Sequence, residues 1–224
     1  MPPEPSERIV LRPCSVHWQK GLEELVVKRQ IEIGALEVFL RYYEDISILL
    51  KTKRIAITGA PATGKTTLSA ALESLGYPVF HEQAREIIQQ SLDDGTDILP
   101  WKDLNAFTEV VWQLRNEQYS NAVLGKINFY DRTNLDAYAY LIKGETQLTE
   151  QWSKELEEMH FDAVFFLPVW HEIHSLDKQR METLEDCIEV DGFLKLAYRE
   201  KGYNLIEVPR VSVEERVAFI EAHL

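Results

Sequence analysis

The chain has 224 residues, of which 45% are hydrophobic and 27% charged, and its formal net charge is -13. That length supports one α/β domain with a buried core and a short extension. Such an acidic balance argues against general nucleic-acid binding and against anionic membrane surfaces, because both need a positive field. The two cysteines, Cys14 and Cys187, lack metal-type spacing. With no signal-peptide pattern and no bilayer-length apolar run, they predict reduced thiols in a cytoplasmic protein.

In chain order, residues 1–51 read as an N-terminal extension. A proline-rich start precedes a helical stretch over 18–50, where Leu22, Leu25, Val26, Leu36 and Phe39 recur near helical spacing. This extension is expected to cover an edge of the main domain or to meet a protein partner. Residues 52–224 alternate strands and helices. Strands are predicted at 54–58, 77–81, 126–130, 161–167 and 203–208. Helices are predicted at 65–75, 82–92, 101–123, after Asp131, near 149–160 and at 180–201. Ser212 and Glu215 form a capping box for a last helix. Five strands separated by helices predict a parallel sheet covered on both faces, a three-layer α/β fold.

The first strand runs into Gly59-Ala60-Pro61-Ala62-Thr63-Gly64-Lys65-Thr66, followed by Thr67 and a helix. This is the G-x-x-x-x-G-K-[ST] pattern in its required setting, between a strand and a helix. Gly59 and Gly64 permit backbone angles and close approach that a Cβ would obstruct. The loop amides and the helix N-terminus make an anion cradle. Lys65 brings a charge to the outer phosphates, and Thr66 offers a hydroxyl to Mg2+. The expected ligand is a nucleoside triphosphate, ATP by default. GTP stays open, although neither D-x-x-G nor N-K-x-D is present.

Three further positions bear on the reaction. Asp131 ends the third strand, where it can hold Mg2+ with Thr66, and Arg132 follows in place of a second acidic residue. An arginine there can contact an anionic or phosphoryl-accepting substrate. Glu82 follows the second strand, at the ligand end of such sheets, and can orient an attacking hydroxyl or cap the next helix. Arg85, one turn on, serves substrate charge or pairs with Glu82. Arg180, after the fourth strand, can stabilise charge on a transferring phosphoryl group from a closing loop, or pair with Asp177. Trp101, Phe107 and Trp112 fit core packing better than base stacking.

On these residues the chain resembles the small AAA-type, kinase-like P-loop proteins. The likeness also runs through Gly76-Tyr77-Pro78-Val79, Glu82-Gln83-Ala84-Arg85, Leu99-Pro100-Trp101, Phe165-Phe166-Leu167-Pro168, Asp177-Lys178-Gln179-Arg180 and Val208-Pro209-Arg210. More distantly the layout is similar to deoxynucleoside kinases and the nicotinamide riboside kinase domain. That resemblance implies strand order 2-3-1-4-5 and roles for Glu82 and Asp131-Arg132 at the acceptor. Met181 departs from it, standing where relatives often carry a second arginine. The implied activity is Mg-dependent transfer of the γ-phosphate to a small, nucleoside-like acceptor. The alternative is a nucleotide-dependent switch with slow hydrolysis. A ring-forming motor is disfavoured by the missing Asp-Glu pair.

Overall fold

The computed structural model describes residues 41, 46–47, 51–174 and 183–224. The N-terminal extension, as a predicted helical unit, and Arg180 therefore lie outside the described residues. Strands β1 (Lys53–Thr58), β2 (Val79–Phe80), β3 (Ile127–Asp131), β4 (Ala163–Phe166) and β5 (Leu205–Glu207) form one sheet. Its order is β2-β3-β1-β4-β5, with every pairing parallel. The predicted order and fold class hold.

The period-two alternation of strand side chains assigns the two faces. Ile55, Ile57, Phe129 and Phe165 point to one side, where Leu68, Leu72, Val217 and Ile220 cover them. These come from helices α1 (Lys65–Ser74) and, at the C-terminus, α8 (Val213–Glu221). Ala56, Tyr130 and Val164 point to the other side, against Trp112, Leu135, Leu141, Trp152 and Tyr198. Those residues belong to α3 (Leu104–Ser120), α4 (Asn134–Lys143), α5 (Glu150–Glu158) and α7 (Leu184–Glu200). Helix α2 (Ala84–Asp94) follows β2, and the short α6 (His171–His174) follows β4. No helix among the described residues is long and apolar enough to cross a membrane.

Helix α2 starts at Ala84, two residues later than expected, and two further helix starts differ from expectation, each for a capping reason. Helix α3 begins at Leu104 because the Asp103 carboxylate accepts from the Ala106 amide at 2.9 Å. The preceding Leu99-Pro100-Trp101 segment forms a turn, so Trp101 is 60% exposed and not a core residue. Trp112 is buried, stacked on Trp152 at 5.0 Å. Helix α7 begins at Leu184, behind a capping box of Thr183 and Asp186.

The carboxyl ends of β1 and β3 meet at one buried carboxylate. Asp136 is the third residue of α4 and closes a capping box with Thr133. Its Oδ1 accepts from the Thr58 hydroxyl at 2.7 Å and from Arg132 Nη1 at 3.2 Å. Its Oδ2 accepts from the Thr133 amide at 2.9 Å and from the Tyr198 hydroxyl at 2.7 Å. Since the single Tyr198 proton goes to the carboxylate, the Thr133 hydroxyl, 2.8 Å away, donates to Tyr198. Burial, then the negative charge of Asp136, push the Tyr198 hydroxyl well above its ordinary pKa. Tyr198→Phe keeps the shape and deletes these bonds. It should lower unfolding free energy by about 1–3 kcal/mol in urea titration. A loss below roughly 0.5 kcal/mol would mean that the network does not anchor α7.

Candidate phosphate and acceptor site

The loop between β1 and α1 has the backbone its sequence requires. Gly59 sits at φ 148, and a Cβ there would lie 2.3 Å from the Leu167 carbonyl oxygen. The loop can therefore lie against the end of β4 only as glycine. Ala62 and Gly64 also take positive φ, at 60 and 86. Gly64 is the N-cap of α1 and provides no side-chain cap. The first-turn amides of α1 are thus left for an anion. Thr66 and Thr67 are exposed on that turn.

Lys65 folds back over the loop. Its Nζ donates to the carbonyls of Gly59 (2.8 Å) and Ala60 (2.7 Å), with the Thr63 hydroxyl at 3.4 Å. Burial lowers its pKa to about 7, helped by the nearby Arg132 charge and opposed by Asp131, Asp136 and Glu82.

Asp131, at the end of β3, is buried. Its Oδ2 accepts from the Ser69 hydroxyl at 3.2 Å, while Oδ1 is buried without a partner. Burial pushes this carboxyl up, with Glu82 adding to the effect and Lys65, Arg132 and Ser69 only partly opposing it. A buried carboxylate with a spare oxygen, one strand away from an exposed threonine hydroxyl, fits a hard divalent cation. Thr66 and Asp131 are the residues that could hold Mg2+.

Arg132 stands at φ 73, a left-handed conformation uncommon outside glycine and asparagine. Its amide donates to the Ile57 carbonyl at 2.9 Å and its guanidinium to Asp136. Burial works against its charge, but Tyr140, Asp136, Glu82 and Asp131 outweigh that and raise its pKa. On α3, Arg115 donates through Nη1 to the Thr133 carbonyl at 2.7 Å. Glu82 accepts from the Ala84 amide at 2.9 Å, in the manner of a helix cap. Burial would raise the Glu82 carboxyl, yet Arg132, Arg115, the Ala84 amide and Lys65 hold it below its usual range.

These groups line one cavity of about 180 Å³, which Pro61 of the phosphate loop also borders. Its polar side carries Glu82, Arg85, Arg115 and Arg132, and its apolar side includes Phe107, Val111 and Tyr140. Glu82 and Arg132 are thus brought together beside the loop, as expected from sequence. Arg85 is exposed at the rim and makes no ion pair with Glu82. A wider hollow of about 630 Å³ lies at the opposite end of the sheet, around Phe161, Asp162 and Tyr203, away from the phosphate loop.

Four residues that contact the candidate site or its supports escaped the sequence reading: Ser69, Arg115, Asp136 and Arg216. Thr133-Asn134-Leu135-Asp136 is a capping-box pattern that could have flagged Asp136. Ser69 lies three residues after Thr66, on the same helical face. Arg216 is buried, donating to the Thr63 carbonyl of the phosphate loop at 3.0 Å and lying 4.6 Å over the Trp170 ring. No local pattern marks it or Arg115.

Strand order, glycine loop and the carboxylate ending β3 define the kinase-like P-loop fold. Residues 54–216 match the sequence profile of the AAA domain family, which is more than half of the chain, so the protein belongs to that family. Among solved structures, the deoxyadenosine kinase from M. mycoides with bound dATP is similar at TM-score 0.56 and 19% identity. The match covers 76% of this chain and 98% of that one. The same kinase with dCMP and dCDP matches at TM-score 0.55 and 18% identity, over 76% and 97%. NadR protein in complex with NR matches at TM-score 0.56 and 15% identity, over 87% of this chain and 57% of that one. No curated protein matches the sequence.

The low pKa of Lys65 has a measurable consequence. Between pH 7 and the ordinary lysine value of 10.5 the folded protein binds fewer protons than the unfolded chain. This group's contribution to stability therefore rises with pH across that window, and the cost of burying its charge is fully present below it. A triphosphate meeting the ammonium reverses the shift. Calorimetric titration of ATP with Mg2+ at pH 8.5, in buffers of different ionisation enthalpy, should show uptake of close to one proton. Binding without buffer dependence would contradict the placement of Lys65 against the phosphates.

Proposed function

We propose that the protein is a Mg-dependent kinase that moves the γ-phosphate of ATP to a small, nucleoside-like acceptor. The observation that carries this reading is the single cavity that joins Pro61 of the phosphate loop to Glu82, Arg115 and Arg132. A protein that only hydrolysed the triphosphate would need no such chamber with an apolar wall and convergent polar groups. ATP is favoured over GTP as donor because the sequence has no guanine-reading motif, and the setting proposed is the cytoplasm.

In this reading the loop amides of residues 59–67 bind the phosphates. Lys65 leaves the Gly59 and Ala60 carbonyls to offset charge on the β- and γ-phosphates. Thr66 and Asp131 would hold Mg2+, which would supply further positive charge to the triphosphate. Glu82 orients the acceptor, and Arg132 stabilises charge on the transferring group. Arg180 is proposed to add a further positive charge as transfer proceeds. Alignment of acceptor and donor is the main source of rate, since misplacement by about 1 Å can cost on the order of 10²-fold.

Coupled detection of ADP across a panel of nucleosides and nucleoside monophosphates, with ATP and then GTP, tests the assignment. Acceptor-dependent turnover at least tenfold above the basal rate is expected with ATP. Glu82→Gln should lower that turnover by roughly 10²-fold. Hydrolysis that no acceptor accelerates would defeat the kinase reading and favour a nucleotide-dependent switch.

A further inference from the structure

We infer that the acceptor carries its own anionic group, and that it is a phosphate monoester whose oxygen attacks the γ-phosphorus. This deepens the kinase reading and rests on it. Three guanidiniums, Arg85, Arg115 and Arg132, face a cavity whose wall holds one carboxylate, Glu82. Among the described residues, only Arg132 of these three has a carboxylate within ion-pair distance, and that partner is Asp136 behind the wall. Counting Asp136 with Arg132 still leaves the lining net positive. Lys65 and Asp131 belong to the donor side and balance each other in sign.

Arg115 is the decisive residue. Among the described residues its one hydrogen bond, from Nη1 to the Thr133 carbonyl at 2.7 Å, fixes the plane of the guanidinium. The residue also lines the cavity, and no described group takes its remaining N–H donors. Burial lowers its pKa, with Asp136 and Glu82 opposing and the Arg132 charge adding to the effect. A neutral acceptor would leave the Arg115 charge and the rim charge of Arg85 unmatched. A phosphate monoester matches both, and its bidentate geometry suits guanidinium.

The chemistry at Glu82 agrees. Arg132 and Arg115 hold this carboxyl below its usual range despite burial, which makes it a poor base for an alcohol. A monoester dianion has no proton to give up. Its oxygen forms the new P–O bond while the bond from the γ-phosphorus to the β–γ bridging oxygen breaks. The bond electrons stay on the β-phosphate, releasing ADP and leaving a diphosphate on the acceptor. Glu82 then orients the acceptor's remaining hydroxyls. The cavity is small, about 180 Å³, with Phe107 and Val111 on its apolar side to meet a flat or sugar-like ring.

The test is calorimetric binding to the full chain, with the phosphate loop occupied by the β,γ-imido analogue of ATP and Mg2+. Adenosine, deoxycytidine, thymidine and guanosine are each compared with their 5′-monophosphates, and inorganic phosphate serves as the bare anion. At least one monophosphate should bind roughly tenfold to a hundredfold more tightly than its nucleoside. Arg115→Gln should erase that preference and Arg115→Lys restore part of it. Should Arg115→Gln fail to fold, the exposed Arg85→Glu should lower monophosphate affinity while leaving nucleoside affinity within about twofold. Equal binding of nucleoside and monophosphate, or no binding of any monophosphate, overturns the inference. Turnover separates the two claims. Efficient transfer to neutral nucleosides without preference would sink the inference and leave the kinase reading standing. Tight monophosphate binding with no transfer would support the inference's recognition of the anion and sink the kinase reading.

Discussion

One buried carboxylate holds the working end of the sheet together. Asp136 takes four hydrogen bonds, from Thr58 on β1, from Arg132 and Thr133 in the turn after β3, and from Tyr198 on α7. A fully buried anion is costly unless each lone pair is used, and here the donors converge from segments far apart in sequence. The arrangement fixes where β1 ends, and so where the phosphate loop begins. It also fixes the left-handed turn at Arg132 and the start of α4. Moving any of these elements would strand the carboxylate.

The candidate site inherits its charge pattern from that anchor. Arg132 is secured by Asp136 and then faces Glu82 and Lys65, depressing the pKa of both. Lys65 rests on loop carbonyls until phosphates arrive, and Asp131 keeps one oxygen uncommitted. Lys65 and Arg132 thus bring positive charge to the carboxyl end of the sheet, close to the Asp131 carboxylate.

How much of this could be read in advance follows the range of each signal. The strand order was legible only through the family resemblance, whereas the phosphate loop and the positions of Glu82 and Asp131-Arg132 were legible in the residues themselves. Their signals are local: a glycine spacing, a β-branched run, a residue type at a strand end. Strands were placed well but drawn too long at β2, β4 and β5, because ladder pairing ends before apolar character does. The start of α3 was misplaced to Trp101 because the Asp103 cap competes with a turn at Leu99-Pro100-Trp101. Arg115 had no local signal, Asp136 only that of a helix cap, and Arg216 none. Their partners, Thr133, Thr58 and Thr63, lie 18, 78 and 153 residues away in sequence. Only the packing of α3, α4 and α8 on the sheet brings them near.

A double-mutant cycle on the pair at the anchor tests this account most directly. Unfolding free energies would be measured in urea for the native chain, Asp136→Asn, Arg132→Met and the two together. Each single change leaves a buried polar group without its partner and should cost roughly 3–5 kcal/mol. The combined change should cost less than the sum by at least about 1 kcal/mol, since both partners are then removed. Additivity within roughly 0.5 kcal/mol would contradict the claim that this ion pair organises the end of the sheet.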